Sequence, residues 1–325
     1  LLSGIYIETI NDKNKNKLLY QILNIALSTV IHFYFTIILI LFYIFGKVFD
    51  LFKQKIKFTN IIKETIIIII PTLTVMYVVG YFTIGLDDGL GWGYGYYNFN
   101  LNSFFNPAGG NYFESFNWSK FLEQRKYQNG EHEGFSYLGI TGLFFLLLFF
   151  VNFLFKKYLI VFNRYKILTI SLLFLMLATS NNINFGENNI FLVPINNLFY
   201  ALLSSIRASG RLIWPVYYLI FIFGIIYVFR LFENKKPTIV ILTLFFVQII
   251  DIHPGLLKYS LGSQYIDRNI NHNLKNNIWN DLSKDFEIIR ILEPQNNSAI
   301  YQKLSRYLLK ENFLKTDIAY LARVN

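Results

Sequence analysis

Residues 212–231 read LIWPVYYLIFIFGIIYVFRL, in which Arg230 is the only charged side chain. A helix of about 20 apolar residues spans the hydrocarbon core of a bilayer. The whole chain has this character, since 54% of its 325 residues are hydrophobic and only 15% are charged. An average soluble domain carries about 25% charged residues. The sequence therefore predicts an integral membrane protein. It excludes an ordinary soluble globule and, because there is no cysteine, a disulfide scaffold.

Apolar runs of similar length recur along the chain and predict its spans. The predicted transmembrane helices are 20–45, 64–85, 136–155, 165–180, 212–231 and 237–252. Residues 188–208 are also apolar but contain Pro194 and the pair Asn196–Asn197. We expect an interfacial or re-entrant segment there, because broken backbone at membrane depth must be buried or hydrated. The predicted fold class is an all-α polytopic membrane protein, with a transmembrane domain over residues 1–252.

Basic residues are unevenly divided between the predicted loops. Loops 46–64, 156–166 and 230–237 together carry 12 basic and three acidic residues. Segments 1–17, 86–135 and 181–211 carry eight basic and nine acidic residues. Cytoplasmic loops are enriched in Lys and Arg, so the first set is predicted to be cytoplasmic and both chain ends extracytoplasmic. The net charge of +10 is explained by this membrane pattern, and we expect no nucleic-acid partner.

Residues 253–325 differ from the rest because they are polar and rich in Asn. Asp285–Leu292 alternates like a strand, and Ala299–Leu309 has helical spacing. We predict a small α/β extracytoplasmic region here. The polar start at Leu1 and the abrupt stop at Asn325 lead us to expect a piece of a longer protein.

The long loop 86–135 contains the first candidate site residues. Asp87 and Asp88 lie close to a membrane exit, where paired carboxylates can bind a divalent cation or act as a general base. The alternative is that they are turn residues facing water. Glycines then alternate with aromatic residues, including Trp92, Tyr94 and Tyr96. Such rings either stack on sugar faces or anchor the chain at the membrane interface.

Glu131, His132 and Glu133 end this loop just before the third predicted span. Residues at i and i+2 do not share a helical face, and no His or Cys partner lies nearby in the sequence, so we predict no zinc site. Glu133 is the better candidate for an acid or hydrogen-bond acceptor that reaches a polar substrate.

The segment SSIRASGRLIWP, residues 204–215, supplies a second group of candidates. Arg207 and Arg211 are four residues apart, hence on one face if helical, and Ser209 adds a hydroxyl. Arginine binds phosphate oxygens through a planar fork. The pair is suited to a lipid-linked phosphate, or alternatively it extends to lipid headgroups with no catalytic role. Among ionisable residues inside the spans, His32 is a functional candidate and Asp251 is expected to make an interhelical hydrogen bond.

Four blocks, read in order, resemble a known family. They are GWGYGYYNFNLNSFFNP, EHEGFSYLG, SIRASGRLIWPVYYLI and VQIIDIHPG. The family comprises bacterial polytopic membrane proteins of unassigned activity that are distantly similar to the GT-C glycosyltransferases. The resemblance implies a multi-pass protein of the bacterial inner membrane, with further spans before Leu1 and a polyprenyl-phosphate sugar donor. It also implies a catalytic carboxylate in a loop before Leu1, which leaves Asp87, Asp88 and Glu133 as weak candidates here. By the same analogy, Arg207 and Arg211 contact the donor phosphate.

The predicted function is that of a membrane glycosyltransferase, which transfers a sugar from a polyprenyl-phosphate donor to an extracytoplasmic acceptor. One alternative is a glycolipid transporter or flippase. Such proteins place ionisable or broken segments at the midplane, often in paired halves, whereas these spans are nearly free of charge and show no inverted repeat. The other alternative is a non-catalytic membrane assembly protein.

Overall fold

The computed structural model describes residues 1–9, 16–82, 93–111, 114–155, 164–204, 206–233, 235–264, 286–290, 304–305, 307–308 and 315–316. The chain divides into two compact units, residues 1–256 and 257–325. The helices are α1 (Leu2–Thr9), α2 (Lys17–Ile31), α3 (Phe33–Phe52), α4 (Phe58–Val79), α5 (Gly139–Phe155), α6 (Arg164–Thr179), α7 (Asn197–Ser204), α8 (Trp214–Leu231) and α9 (Pro237–Gln264). The prediction of a mostly helical fold is therefore confirmed.

Among the described residues, four helical segments are long and apolar enough to cross a membrane. They are Phe33–Phe52, Phe58–Val79, Ser209–Leu231 and Pro237–Lys258. Shorter apolar helices cover Lys17–Ile31, Gly139–Val151 and Lys166–Thr179. Large apolar side chains on these helices face outward, among them Leu27, Ile70 and Phe246. Such a surface is stable in lipid and not in water, so this is a multi-pass membrane protein.

The first predicted span, 20–45, is divided in two at His32. The backbone of His32 is extended, with φ −166° and ψ 126°, and its Nδ1 accepts a hydrogen bond from the Tyr34 amide at 3.2 Å. Helix α2 folds back along α3, and Thr36 Oγ1 donates to Thr29 Oγ1 at 3.1 Å. The sequence predicted one continuous helix over 20–45 because no glycine or proline marks the turn. His32 thus caps α3, which is a structural role.

This turn also changes the predicted course of the chain. Leu18, at the start of α2, packs in the same hydrophobic cluster as Tyr43 and Ile44, which lie near the end of α3. The beginning of α2 and the end of α3 therefore lie at the same end of the helical pair. The prediction that Lys17 and the loop 46–64 lie on opposite sides of the membrane assumed one continuous helix, which the structure divides into two, and the sides of the membrane stay a prediction.

The core of the first unit lies between α3, α5, α6 and α8. Phe42 stacks on Phe174 with ring centroids 6.0 Å apart, and Phe223 is buried in the same cluster. Gly224 of α8 faces the Phe145 ring of α5. Small residues at helix interfaces let membrane helices approach closely. These contacts fix the helix ends that carry the polar loops.

Short hairpins and 3₁₀ turns add to the helices. Strands β1 (Ala108–Asn111) and β2 (Glu114–Asn117) are antiparallel, as are β3 (Asn182–Phe185) and β4 (Asn188–Leu192). Two 3₁₀ turns cover Glu131–Gly134 and Ser209–Ile213. In the second unit, β5 (Ile288–Ile289) pairs in parallel with β6 (Lys315–Thr316). Of the helix predicted over residues 299–309, residues 304–305 and 307–308 are described, and they are helical.

Candidate functional site

The loop that follows α4 packs against the turn that precedes α8. The Gly210 amide donates to the Tyr97 carbonyl at 2.9 Å, and the Phe99 amide donates to the Ala178 carbonyl at 2.8 Å. A Cβ on Gly210 would lie 2.8 Å from Gly134 Cα and 2.9 Å from the Asn98 carbonyl oxygen. Only glycine permits this close approach of backbones. The contact brings the EHEG and RASGR blocks of the sequence together.

Arg211 and Glu133 form an ion pair across this contact. Arg211 donates from Nε at 2.8 Å and approaches with Nη2 at 2.7 Å, both to Glu133 Oε2. The Arg211 and Glu133 side chains are 25% and 26% exposed. The guanidinium also lies over the Tyr34 ring, 5.0 Å from its centroid. Among the described residues none donates to Glu133 Oε1, so this oxygen is open to a hydroxyl of a bound molecule.

Arg207 is held by a different aromatic residue. Its Nη2 donates to the Tyr97 hydroxyl at 2.8 Å, and its guanidinium lies 4.8 Å from the Tyr97 ring centroid. The Tyr97 ring in turn meets His132 edge to face at 5.9 Å. The prediction that Arg207 and Arg211 share a helical face is wrong, because Arg207 precedes the 3₁₀ turn that contains Arg211.

These contacts define what we call the arginine cluster. Its members are Tyr34, Tyr97, His132, Glu133, Arg207 and Arg211. Burial lowers the pKa of His132, neighbouring Glu133 raises it, and Arg211 lowers it further. The net shift is downward, so the imidazole is neutral at pH 7 and can accept a proton. The cluster thus combines anion-binding and proton-accepting groups.

An aromatic groove adjoins the arginine cluster. It has a volume of about 330 Å³ and is lined by Phe35, Phe135, Ser136, Tyr137, Trp214, Tyr217 and Tyr218. The groove and the cluster share three chain segments, because Phe35 follows Tyr34, Phe135 lies two residues after Glu133, and Trp214 lies three residues after Arg211. Clefts of about 300–1,000 Å³ with apolar walls and a few polar groups are typical ligand sites. An amphiphile with an anionic head matches this combination.

The remaining predicted site residues have mainly internal contacts. Ser209 is fully buried, and its hydroxyl donates to the Ala178 carbonyl at 3.4 Å. Tyr94 meets the Tyr200 ring edge to face at 6.4 Å, and Tyr96 meets the Tyr97 ring at 4.9 Å. Ser209, Tyr94 and Tyr96 therefore support the site rather than line the groove. The predicted residues Asp87, Asp88 and Trp92 lie outside the described residues.

Glu131 is a structural residue that sequence reasoning did not single out. It is 2% exposed and accepts from Asn100 Nδ2 at 2.7 Å, Asn184 Nδ2 at 2.8 Å and the Gln128 amide at 2.9 Å. Burial raises the pKa of Glu131, and these donors partly offset that effect. The alternation of asparagine at Asn98, Asn100 and Asn102 was the available signal that this segment is buried and hydrogen-bonded on one side.

Asp251 lies in the middle of α9 and joins this helix to the start of α5. It is fully buried and accepts from the Tyr137 hydroxyl at 2.8 Å, from the Ile140 amide at 2.9 Å and from the Ser119 hydroxyl. This confirms the expected interhelical hydrogen bond. Burial and the Asp251 carboxylate both raise the pKa of Tyr137, so its hydroxyl stays protonated and donates.

Within the described part of the chain, no three His, Asp or Glu side chains are grouped as metal ligands. No curated protein and no solved structure matches this chain. A family model does match it, over residues 1–253. That range covers most of the chain and contains the arginine cluster, the groove, the first three blocks of the sequence resemblance and all but the last two residues of the fourth. The chain therefore belongs to the family described as domain of unknown function (DUF6311).

Proposed function

We propose that the protein is a membrane glycosyltransferase that moves a sugar from a polyprenyl-phosphate donor to an extracytoplasmic acceptor. The observation that supports this proposal is the position of the arginine cluster beside the aromatic groove, at the ends of candidate membrane spans. A lipid phosphate has a charged head and an apolar chain. The arginine cluster is complementary to the head and the aromatic groove is complementary to the chain, and neighbouring residues of the sequence form the two sites.

In this proposal the donor phosphate binds to the two arginines. Arg211 uses Nε and Nη2 on Glu133, which leaves Nη1 to donate to a ligand, while Arg207 is oriented by Tyr97. Charge-assisted hydrogen bonds from a planar guanidinium select phosphate oxygens. Glu133 Oε1 accepts from a sugar hydroxyl. The aromatic groove receives the first part of the polyprenyl chain.

Transfer requires a proton acceptor as well as a binding site. The acceptor oxygen bonds to the sugar C1, the bond from C1 to the phosphate oxygen breaks, and the polyprenyl phosphate leaves. The acceptor proton passes to a base, and neutral His132 is the described side chain of the cluster best suited to accept it. Asp87 and Asp88 stay predictions for a divalent cation, which would further neutralise the leaving phosphate.

The proposal is tested with the full protein reconstituted in proteoliposomes. The probe is a radiolabelled short-chain polyprenyl-phosphate hexose, offered with delipidated cell-envelope glycan as the acceptor. The wild type is compared with the Arg207→Ala, Arg211→Ala double variant and with Arg125→Ala, which removes an exposed arginine of the loop that contains Glu133. We expect transfer by the wild type and Arg125→Ala, and its loss in the double variant.

Two other results would contradict the proposal and favour a different function. Movement of a fluorescent polyprenyl-phosphate sugar between leaflets without transfer would indicate a transporter. Neither transfer nor movement, with normal insertion of the wild type, would favour an assembly protein.

A further inference from the structure

The β3–β4 hairpin and α7 carry an apolar surface that no described residue covers. Ile190, Phe191 and Leu192 of β4 are 59%, 58% and 59% exposed, and Phe199 of α7 is 60% exposed. Val193, directly after β4, is exposed as well. Large apolar side chains grouped in this way mark a contact surface.

The surface extends over both faces of the hairpin. Leu192 pairs with Asn182 and Phe191 pairs with Ile183, so these two side chains point to opposite faces, while Ile190 is the extra residue of a β-bulge. A protein partner that docks on a sheet covers one face. The β3 side of the hairpin is held against the protein, since Asn184 is buried and donates to Glu131. The exposed β4 side chains therefore extend outward on both faces, where lipid can contact all of them.

The charges and chain connections of the segment point to the same environment. No charged residue occurs between Glu187 and Arg207. Helix α6 ends at Thr179, three residues before β3 begins, and α8 begins at Trp214, so two apolar helices bracket the segment. The chain therefore leaves one membrane helix, forms the hairpin and α7, and enters the next membrane helix.

The backbone limits how deep the hairpin can lie. In the described residues β4 pairs only with β3, so one edge keeps unpaired amides and carbonyls. Unpaired backbone groups are not tolerated in the hydrocarbon core. The exposed side chains of Asn188 and Asn197 also favour contact with water or headgroups. The interfacial layer satisfies both the apolar side chains and these polar groups.

We propose that the β3–β4 hairpin and Phe199 insert into the boundary between lipid headgroups and acyl chains, on the side where α6 ends and α8 begins. The partner is the lipid surface itself. Because α7 ends three positions before Arg207, this anchor holds the arginine cluster at headgroup depth. The inference does not depend on the proposed transfer activity.

The absence of cysteine from the chain makes the test direct. Single variants Ile190→Cys, Phe191→Cys, Leu192→Cys and Phe199→Cys of the full protein carry a nitroxide label in vesicles of phosphatidylethanolamine and phosphatidylglycerol. Collision with oxygen, which concentrates in lipid, is compared with collision with a water-soluble nickel chelate. Asn129→Cys, in the exposed loop, and Phe246→Cys, on the candidate span of α9, are the water and lipid references.

The expected ratio of oxygen to nickel collisions lies between the two references at all four positions, and it is similar at 191 and 192. A ratio equal to that of Asn129→Cys at positions 190–192 would place the hairpin in water and overturn the proposal. Protection from both reagents would mean that protein covers the surface, which also overturns it. Phe199→Cys provides an independent reading if a β4 variant fails to insert.

Discussion

Arg211 directs both Nε and Nη2 to a single oxygen of Glu133, at 2.8 and 2.7 Å. The pair joins two segments that are 78 residues apart in the chain. It also leaves one guanidinium nitrogen and one carboxylate oxygen unused among the described residues. These two remaining groups are the ones that the proposed function assigns to the donor phosphate and to a sugar hydroxyl.

The first prediction concerns this pair. Arg211→Ala is expected to lower transfer about ten- to a hundredfold, because a charge-assisted hydrogen bond contributes about 1.5–3 kcal/mol. Arg211→Lys is expected to retain only part of the transfer that Arg211→Ala loses, since an ammonium cannot reproduce the planar fork of the guanidinium. Transfer is measured in proteoliposomes beside protein abundance, with Arg125→Ala as the control. Full activity of Arg211→Lys would show that charge alone suffices.

The second prediction concerns the close approach at Gly210. In Gly210→Ala the new Cβ would meet the backbone of Gly134 and Asn98 at 2.8–2.9 Å, and neither segment can rotate away as a side chain can. We expect destabilisation of about 1–3 kcal/mol and loss of transfer. In Gly4→Ala the Cβ meets only the end of the flexible Leu39 side chain, so it is the matched control. Thermal unfolding in detergent measures both variants, and equal midpoints would contradict the prediction.

Much of the helical architecture could be predicted from the sequence, and the failures have physical reasons. Apolar runs such as 212–231 identify membrane helices because lipid requires about 20 apolar residues per span. The turn at His32 was missed because the hydrophobic run is continuous there, and packing of Ile25 against Leu39 and Tyr43 is what favours two helices. Hydropathy alone cannot distinguish one long helix from two antiparallel ones.

Only part of the arginine cluster was predicted from the sequence, since Tyr34, Tyr97 and His132 were not among the candidate site residues. Glu133, Arg207 and Arg211 were all identified, and the structure brings them into one cluster. Their pairing depends on the contact of Gly210 with Gly134, which links distant segments and leaves no periodic signal. Ser209 was expected to face a ligand, yet it is buried, because the local turn is a 3₁₀ turn rather than an α-helix.

The third prediction is a pH dependence centred on His132. Burial is the main cause that lowers the pKa of His132, so the folded protein binds this proton less readily than the unfolded chain. The contribution of His132 to stability is therefore fully present above the ordinary histidine pKa of about 6.5. It is lost as the pH falls from that value through the lower pKa of the folded protein. His132→Gln is expected to remove this part of the pH dependence of unfolding in detergent. His253→Gln, which changes an exposed histidine, should retain it. A wild-type profile that is unchanged by His132→Gln would refute the prediction.

The fourth prediction concerns the buried carboxylate of Glu131. Three hydrogen-bond donors contact the Glu131 carboxylate, and Glu131→Gln places an amide nitrogen opposite one of them. That donor then lacks an acceptor, and a buried donor without an acceptor costs about 1–3 kcal/mol. We expect a lower unfolding midpoint for Glu131→Gln and little change for Glu123→Gln, which lies exposed in the same loop.

Because the folded pKa of Glu131 is raised, its contribution to stability is fully present below about 4.5 and is lost as the pH rises through the folded pKa. Because glutamine does not titrate, the deficit of Glu131→Gln should therefore grow as the pH is lowered from neutral toward 4.5. A deficit that shrinks on acidification would contradict the raised pKa.

The last prediction uses the turn at His32 to test the topology. A cysteine at Asn129 should react with an impermeant thiol reagent added outside intact cells, and a cysteine at Gln54 should not. Both positions are exposed, so a difference reports the side of the membrane rather than burial. If α2 and α3 are antiparallel, Asn16, just before α2 and also exposed, lies on the same side as Gln54, and Asn16→Cys should react only after the membrane is permeabilised. Reaction of Asn16→Cys from outside, beside a protected Gln54→Cys, would mean that a single helix crosses the membrane there and that the turn at His32 does not exist in the bilayer.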